Sequence, residues 1–175
     1  MRKLAILLRA VNVSGTGKLP MADLKALLAE LGHAEPQTLL ASGNAVVGTA
    51  LPAAEVERAV RAALKEKLGL ATEVFARDHA ELKAVMAANP FSDFAREQPS
   101  RMMAVFLAGD PPADLVPLTR WATMGEQIAR GPRCLYITYP EGSGISKLAN
   151  AKTEASKGTA RNWNTVGKLA ALTQA

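Results

Sequence analysis

Four short stretches of this chain place basic, amide and hydroxyl side chains where phosphate recognition would need them. The first runs Arg9-Ala10-Val11-Asn12-Val13-Ser14-Gly15-Thr16-Gly17-Lys18, between an apolar run and a helical pattern. A glycine-containing loop that leads into a helix can present backbone N–H groups to a phosphate. Arg9 and Lys18 add positive charge, and Arg9 directly follows a buried strand, where a charge needs a partner or water. The Gly17-Lys18 pair is like part of a P-loop, but Asn12 stands where the first glycine belongs. Leu19 stands where Ser or Thr must hold magnesium. Nucleotide hydrolysis is rejected on that ground.

The second stretch is Ser42-Gly43-Asn44. Gly and Asn accept positive φ, so turn geometry alone accounts for them. The third is Glu141-Gly142-Ser143-Gly144-Ile145-Ser146-Lys147-Leu148. Ser146 suits a helix N-cap. Lys147 in the first turn opposes the helix dipole, a placement that fits a nearby anion. Leu148 replaces the closing glycine of a nucleophile elbow, and neither serine has a Ser-x-x-Lys partner. The fourth is Thr159-Ala160-Arg161-Asn162-Trp163-Asn164-Thr165. Asn162 can cap the last helix through the N–H of Thr165, with Arg161 beside the unpaired donors of that helix start. Asn164 has no evident structural duty there, and Trp163 heads an apolar stripe.

These motifs are carried by a pattern of alternating strands and helices. Leu4 to Leu8 form one apolar run that reads as a buried strand, and Met21, Leu24, Leu28 and Leu31 repeat at helical spacing up to Gly32. Thr38–Ala41 and Ala45–Gly48 read as a hairpin around Ser42-Gly43-Asn44. A helix over Ala53–Leu68 carries Val56, Val60, Leu64 and Leu68 as its apolar stripe, and a strand over Thr72–Ala76 follows. Strand, helix, strand, strand, helix, strand is the ferredoxin-like order. In that topology the Arg9–Lys18 loop and the Ser42–Asn44 turn lie at one edge of the sheet. The second half predicts a strand over Met102–Leu107, a short helix from Pro112, a hairpin across Gly131-Pro132 and a last helix from Asn162. The expected fold is α+β, with two ferredoxin-like (α/β-plait) halves packed into one compact unit. The halves are residues 1–77 and 78–175.

Composition narrows the function classes. Of 175 residues 49% are hydrophobic and 21% charged, within the globular range. The net charge of +5 is concentrated at the end: from Lys147 onward four Lys and one Arg face a single Glu154. A basic tail favours an anionic partner. The single Cys134 allows no internal disulfide, and no stretch approaches the roughly 20 apolar residues of a membrane span. A cytoplasmic protein is expected. His33 and His79 stand apart from each other and from Cys134, so no metal site is expected, and no cofactor is called for.

Taken together the motifs resemble a bacterial family, domain of unknown function 1697. The residues that carry the resemblance are Leu8-Arg9-Ala10-Val11-Asn12-Val13-Ser14-Gly15 continuing to Pro20-Met21, Ser42-Gly43-Asn44, Asn89-Pro90-Phe91, Gly144-Ile145-Ser146-Lys147-Leu148, and Arg161-Asn162-Trp163-Asn164-Thr165 with Lys168-Leu169. They span essentially the whole chain in order. The Ala- and Lys-rich segment between Leu148 and Thr159 departs from the longer, more acidic helix expected there. The resemblance implies two α/β-plait halves and no function.

The leading expectation is binding of a phosphate-bearing ligand, a nucleotide or nucleic acid, in one basic pocket between the halves. Its candidate residues are Arg9, Asn12, Lys18, Ser42, Asn44, Ser146, Lys147, Arg161, Asn162 and Asn164. Two alternatives stand beside it. One is an enzyme using Lys147 or Ser146 in that pocket, and the other is a purely structural polar network.

Overall fold

The computed structural model describes residues 1–12 and 18–175. The span 13–17 of the first motif, with its two glycines, lies outside the described residues. The chain divides into two units, one of residues Met1–Ala80 with Leu169–Ala175 and one of Glu81–Lys168.

The first unit holds β1 (Arg2–Leu8), α1 (Met21–Glu30), β2 (Ala34–Leu39), β3 (Asn44–Thr49), α2 (Ala53–Leu68) and β4 (Val74–Asp78). Its antiparallel sheet has the order β2-β3-β1-β4, which is the ferredoxin-like arrangement. Leu4, Ile6, Leu8, Ala45, Val47, Val74 and Ala76 pack with Leu24, Leu28, Val56, Val60 and Leu64 of the two helices. Ala5, Leu7, Val46 and Phe75 are buried as well. A sheet buried on both faces reads as a continuous apolar run instead of an alternating one, and this explains Leu4–Leu8. The strand expected at Thr38–Ala41 lies earlier, at Ala34–Leu39. It carries an irregularity between Ala34 and Gln37 around Pro36, which a non-central strand tolerates.

The second unit begins within α3, which spans His79–Ala87, and continues with α4 (Ser92–Glu97), β5 (Met102–Phe106), α5 (Val116–Thr119), β6 (Gln127–Gly131), β7 (Cys134–Thr138), α6 (Lys147–Asn150), β8 (Thr159–Asn162) and the start of α7 (Trp163–Thr173). Its sheet order, β6-β7-β5-β8, repeats the first. The fold is therefore mixed α+β with two plaits of one strand order. The short helix expected from Pro112 starts at Val116 instead, with Pro117 in its first turn. Strand β8 was hidden in the sequence, since Thr159–Asn162 is four residues long with two polar side chains buried.

Candidate anion-binding site

The end of β1 is fixed from two sides. On one side Leu8 pairs with Val74 of β4, the Arg9 N–H donates to the Glu73 carbonyl at 3.0 Å, and the Thr72 hydroxyl donates to the Arg9 carbonyl. On the other the Leu8 N–H donates to the Gly43 carbonyl at 2.8 Å. The loop after β1 and the Ser42–Asn44 turn are thus neighbours, as the topology predicts. Gly43 has φ 87°, and a Cβ there would come within 2.6 Å of Val11 Cγ2 and 2.9 Å of Leu8 Cβ. Only glycine fits both constraints.

Asn12 is a clamp. Its Oδ1 accepts from the Leu19 N–H at 2.6 Å, while its Nδ2 donates to the Leu19 carbonyl at 2.6 Å and the Ala41 carbonyl at 2.7 Å. One amide therefore ties Leu19 to Ala41 of the β2–β3 turn. Its φ of 56° is one that asparagine tolerates. Asn44 is fully buried and donates to the Leu39 carbonyl and Ser42 Oγ, both at 2.9 Å. Asn44 thus holds the edge of the sheet from within, while Asn12 and Ser42 brace it from the exposed side.

Beside this edge is a hollow of about 580 Å3 lined by Arg9, Ala10, Arg61, Lys65 and the segment Leu70–Glu73. Helix geometry places Arg61 and Lys65 one turn apart on α2, flanking the buried stripe of Val56, Val60 and Leu64. Gly69, in the left-handed region, ends that helix and turns the chain back into the wall of the hollow. Three cations and one carboxylate line it, an excess of two positive charges. Arg61 Nε lies 3.5 Å from Glu73 Oε2, and both side chains are about half exposed. Among the described residues, Arg9 and Lys65 have no ion-pair partner. Ala10, with φ 51°, holds a conformation unfavourable for a non-glycine residue.

Of the residues expected from sequence, Arg9 lines the hollow and Lys18 is exposed outside its lining. The others expected to join them, Ser146, Lys147, Arg161, Asn162 and Asn164, belong to the second unit, and each is described there. Ser146 is 1% exposed; it caps α6 through the Ala149 N–H and donates to Glu126 Oε1 at 2.7 Å. Glu126 Oε2 accepts from the Met124 N–H at 2.7 Å. Burial pushes the Glu126 carboxyl up, but the bonds it accepts from Ser146, its own N–H and that of Met124 outweigh this and leave it below its usual range. Arg161 does not stand at an open helix start. It lies in β8 opposite Ala104, buried, with Nη1 donating to Thr159 Oγ1 at 2.5 Å and to the Ala160 carbonyl at 2.9 Å. Burial draws its guanidinium down to about 10. Asn162 caps α7 through the Thr165 N–H at 3.0 Å, as its position predicts. Trp163 is half-buried, with its ring 6.4 Å from that of Tyr136. Lys147 and Asn164 are exposed.

Sequence reasoning passed over Arg61 and Lys65, because charges on a regular helix read as a solvated face, and over Thr72 and Glu73, which read only as the start of a strand. A signal existed. Antiparallel pairing of β1 with β4 sets the residue after β1 beside the start of β4, and the end of α2 leads directly there. Arg77 was also missed: it is 1% exposed, donates to the Ala76 carbonyl at 3.0 Å and lies 3.9 Å from Glu57.

Among the described residues no three His, Cys, Asp or Glu side chains gather as metal ligands. Among the described residues no helix is long and apolar enough to cross a membrane. Two four-stranded antiparallel sheets of one strand order define an α/β-plait protein with a repeated half. A family model described as protein of unknown function (DUF1697) matches residues 1–136, and the chain belongs to that family. The match ends ahead of the Gly144 and Arg161 motifs. Among solved structures the chain is similar to the conserved bacterial protein SP0830 from Streptococcus pneumoniae, with 19% identity, a TM-score of 0.77 and 99% of each chain covered. That likeness is one of fold. No curated protein matches the chain.

Proposed function

We propose that the first unit binds a phosphate-bearing small molecule of nucleotide size, with Arg9, Arg61 and Lys65 as its charged contacts. The observation that carries this reading is the hollow of about 580 Å3 with its excess of two positive charges. That volume lies in the usual range for small-molecule sites, about 300–1,000 Å3. Its floor is held by backbone and Thr72 hydrogen bonds, so the site is organised before a ligand arrives. Two arginines offer the planar forks that match phosphate oxygens in pairs.

Calorimetric titration of the full chain with a nucleotide panel tests the reading. Arg9→Ala and Arg61→Ala are each expected to weaken binding about tenfold, the value of one charge-assisted hydrogen bond. Unchanged affinity in both variants removes its basis. Tighter binding of longer oligonucleotides, with affinity falling steeply in salt, would transfer the reading to nucleic acid.

For the second unit a structural role is supported instead, by the buried Ser146–Glu126 bond at 2.7 Å. Ser146→Ala is expected to cost about 1–3 kcal/mol of stability while ligand binding is unchanged. A Ser146→Ala protein of normal stability that no longer binds would favour the enzyme or ligand-contact alternative.

A further inference from the structure

We infer that the hollow prefers a phosphate monoester to a phosphodiester, and that Glu73 sets this preference; the inference rests on reading the hollow as a phosphate site. The two positive charges in excess match a monoester, which carries about −1.5 to −2 at neutral pH, whereas a diester carries a single charge. The arrangement of Arg61 and Glu73 adds a reason beyond matching. With no ligand, the Glu73 carboxylate stands 3.5 Å from the Arg61 guanidinium. It is held there by its own backbone, whose carbonyl accepts from the Arg9 N–H. An incoming anion must displace it or share the guanidinium with it.

A diester offers Arg61 the same single charge as Glu73 but competes with a tethered group, whose effective concentration is on the order of millimolar. A dianion reaches Arg61 with one charge and keeps another for Arg9 and Lys65, so it can win the exchange. The pair is half exposed and therefore weak enough to be opened. Glu73 thus acts as an internal competitor that filters out singly charged anions.

Inorganic phosphate at pH 8 and dimethyl phosphate are the probes, because they carry the phosphate chemistry and little else. Each is titrated into the full chain at low salt, with amide resonances of Arg9, Arg61, Lys65 and Thr72 followed by NMR. Phosphate is expected to bind about five- to tenfold more tightly than dimethyl phosphate, the effect of one extra charge near the protein surface. In Glu73→Gln, dimethyl phosphate is expected to gain several-fold and the preference to shrink. Circular dichroism confirms that the variant, altered at a half-exposed position, is folded. Equal affinity of the two probes in the unaltered protein overturns the inference and leaves the phosphate site standing. A preference undiminished in Glu73→Gln overturns the role of Glu73. If neither probe moves these resonances, the reading of the hollow fails, and the inference with it.

Discussion

Asn12 was expected from sequence to touch a ligand, and its geometry predicts a different outcome when it is replaced. In Asn12→Ala three hydrogen bonds are lost, two part-buried ones with Leu19 and a more exposed one with the Ala41 carbonyl. A net value near 1 kcal/mol for each sheltered bond and less for the exposed one gives about 2 kcal/mol. Alanine held at φ 56° adds up to about 1 kcal/mol. The expected loss is about 2–3 kcal/mol, or roughly 5–10 °C in melting temperature for a chain of this size. Asn12→Asp sharpens the test. Its carboxylate can still accept from the Leu19 N–H, but it also faces two carbonyl oxygens with no proton to offer. It is expected to be at least as unstable as the alanine variant at neutral pH. Urea denaturation reads both, with the midpoint shifted and the slope unchanged. The reasoning is refuted if Asn12→Ala melts within 0.5 kcal/mol of the unaltered protein, a shift no larger than ordinary surface substitutions give.

Two further outcomes follow from the same structure. Gly43→Ala is expected to cost at least about 2 kcal/mol, since it combines a positive φ with close contact to Val11 and Leu8; a melting temperature equal to that of the unaltered protein would contradict this. His33 is 6% exposed, with Nε2 lacking a partner among the described residues, and burial pulls its pKa below the usual 6.5. The unfolded chain therefore takes up a proton more readily, so this contribution to stability is complete above pH 6.5 and is lost as pH falls through the folded pKa. His33→Leu should flatten that part of the acid-side fall in melting temperature between pH 7.5 and 5.5, and an identical pH profile would show that His33 does not carry it.

Much of the first plait was legible because its local signals agree. The Leu4–Leu8 run, the heptad-like stripes of α1 and α2, and the turn at Gly43 all point to one strand order. The second plait was harder. Its strand β8 is four residues long and polar, and its connecting helices α5 and α6 are four residues each, too short for periodicity to register. The site was legible only in part. Sequence singled out amide and hydroxyl groups because they are uncommon near apolar runs. Asn12, Asn44 and Ser146 turn out to satisfy backbone groups and a buried carboxylate. Sequence passed over Arg61 and Lys65 because nothing in a helix pattern separates a charge facing a hollow from one facing water. Pairing of β1 with β4 makes that distinction, through contacts more than sixty residues apart.

The most direct test follows the backbone amides of the full chain while a nucleoside 5′-monophosphate is added. Binding is predicted to shift Arg9, Ala10, Arg61, Lys65 and Thr72 and to leave Ser146, Arg161 and Asn164 in place. Shifts confined to the latter three, with Arg9 and Arg61 silent, would contradict the assignment of the ligand to the first unit.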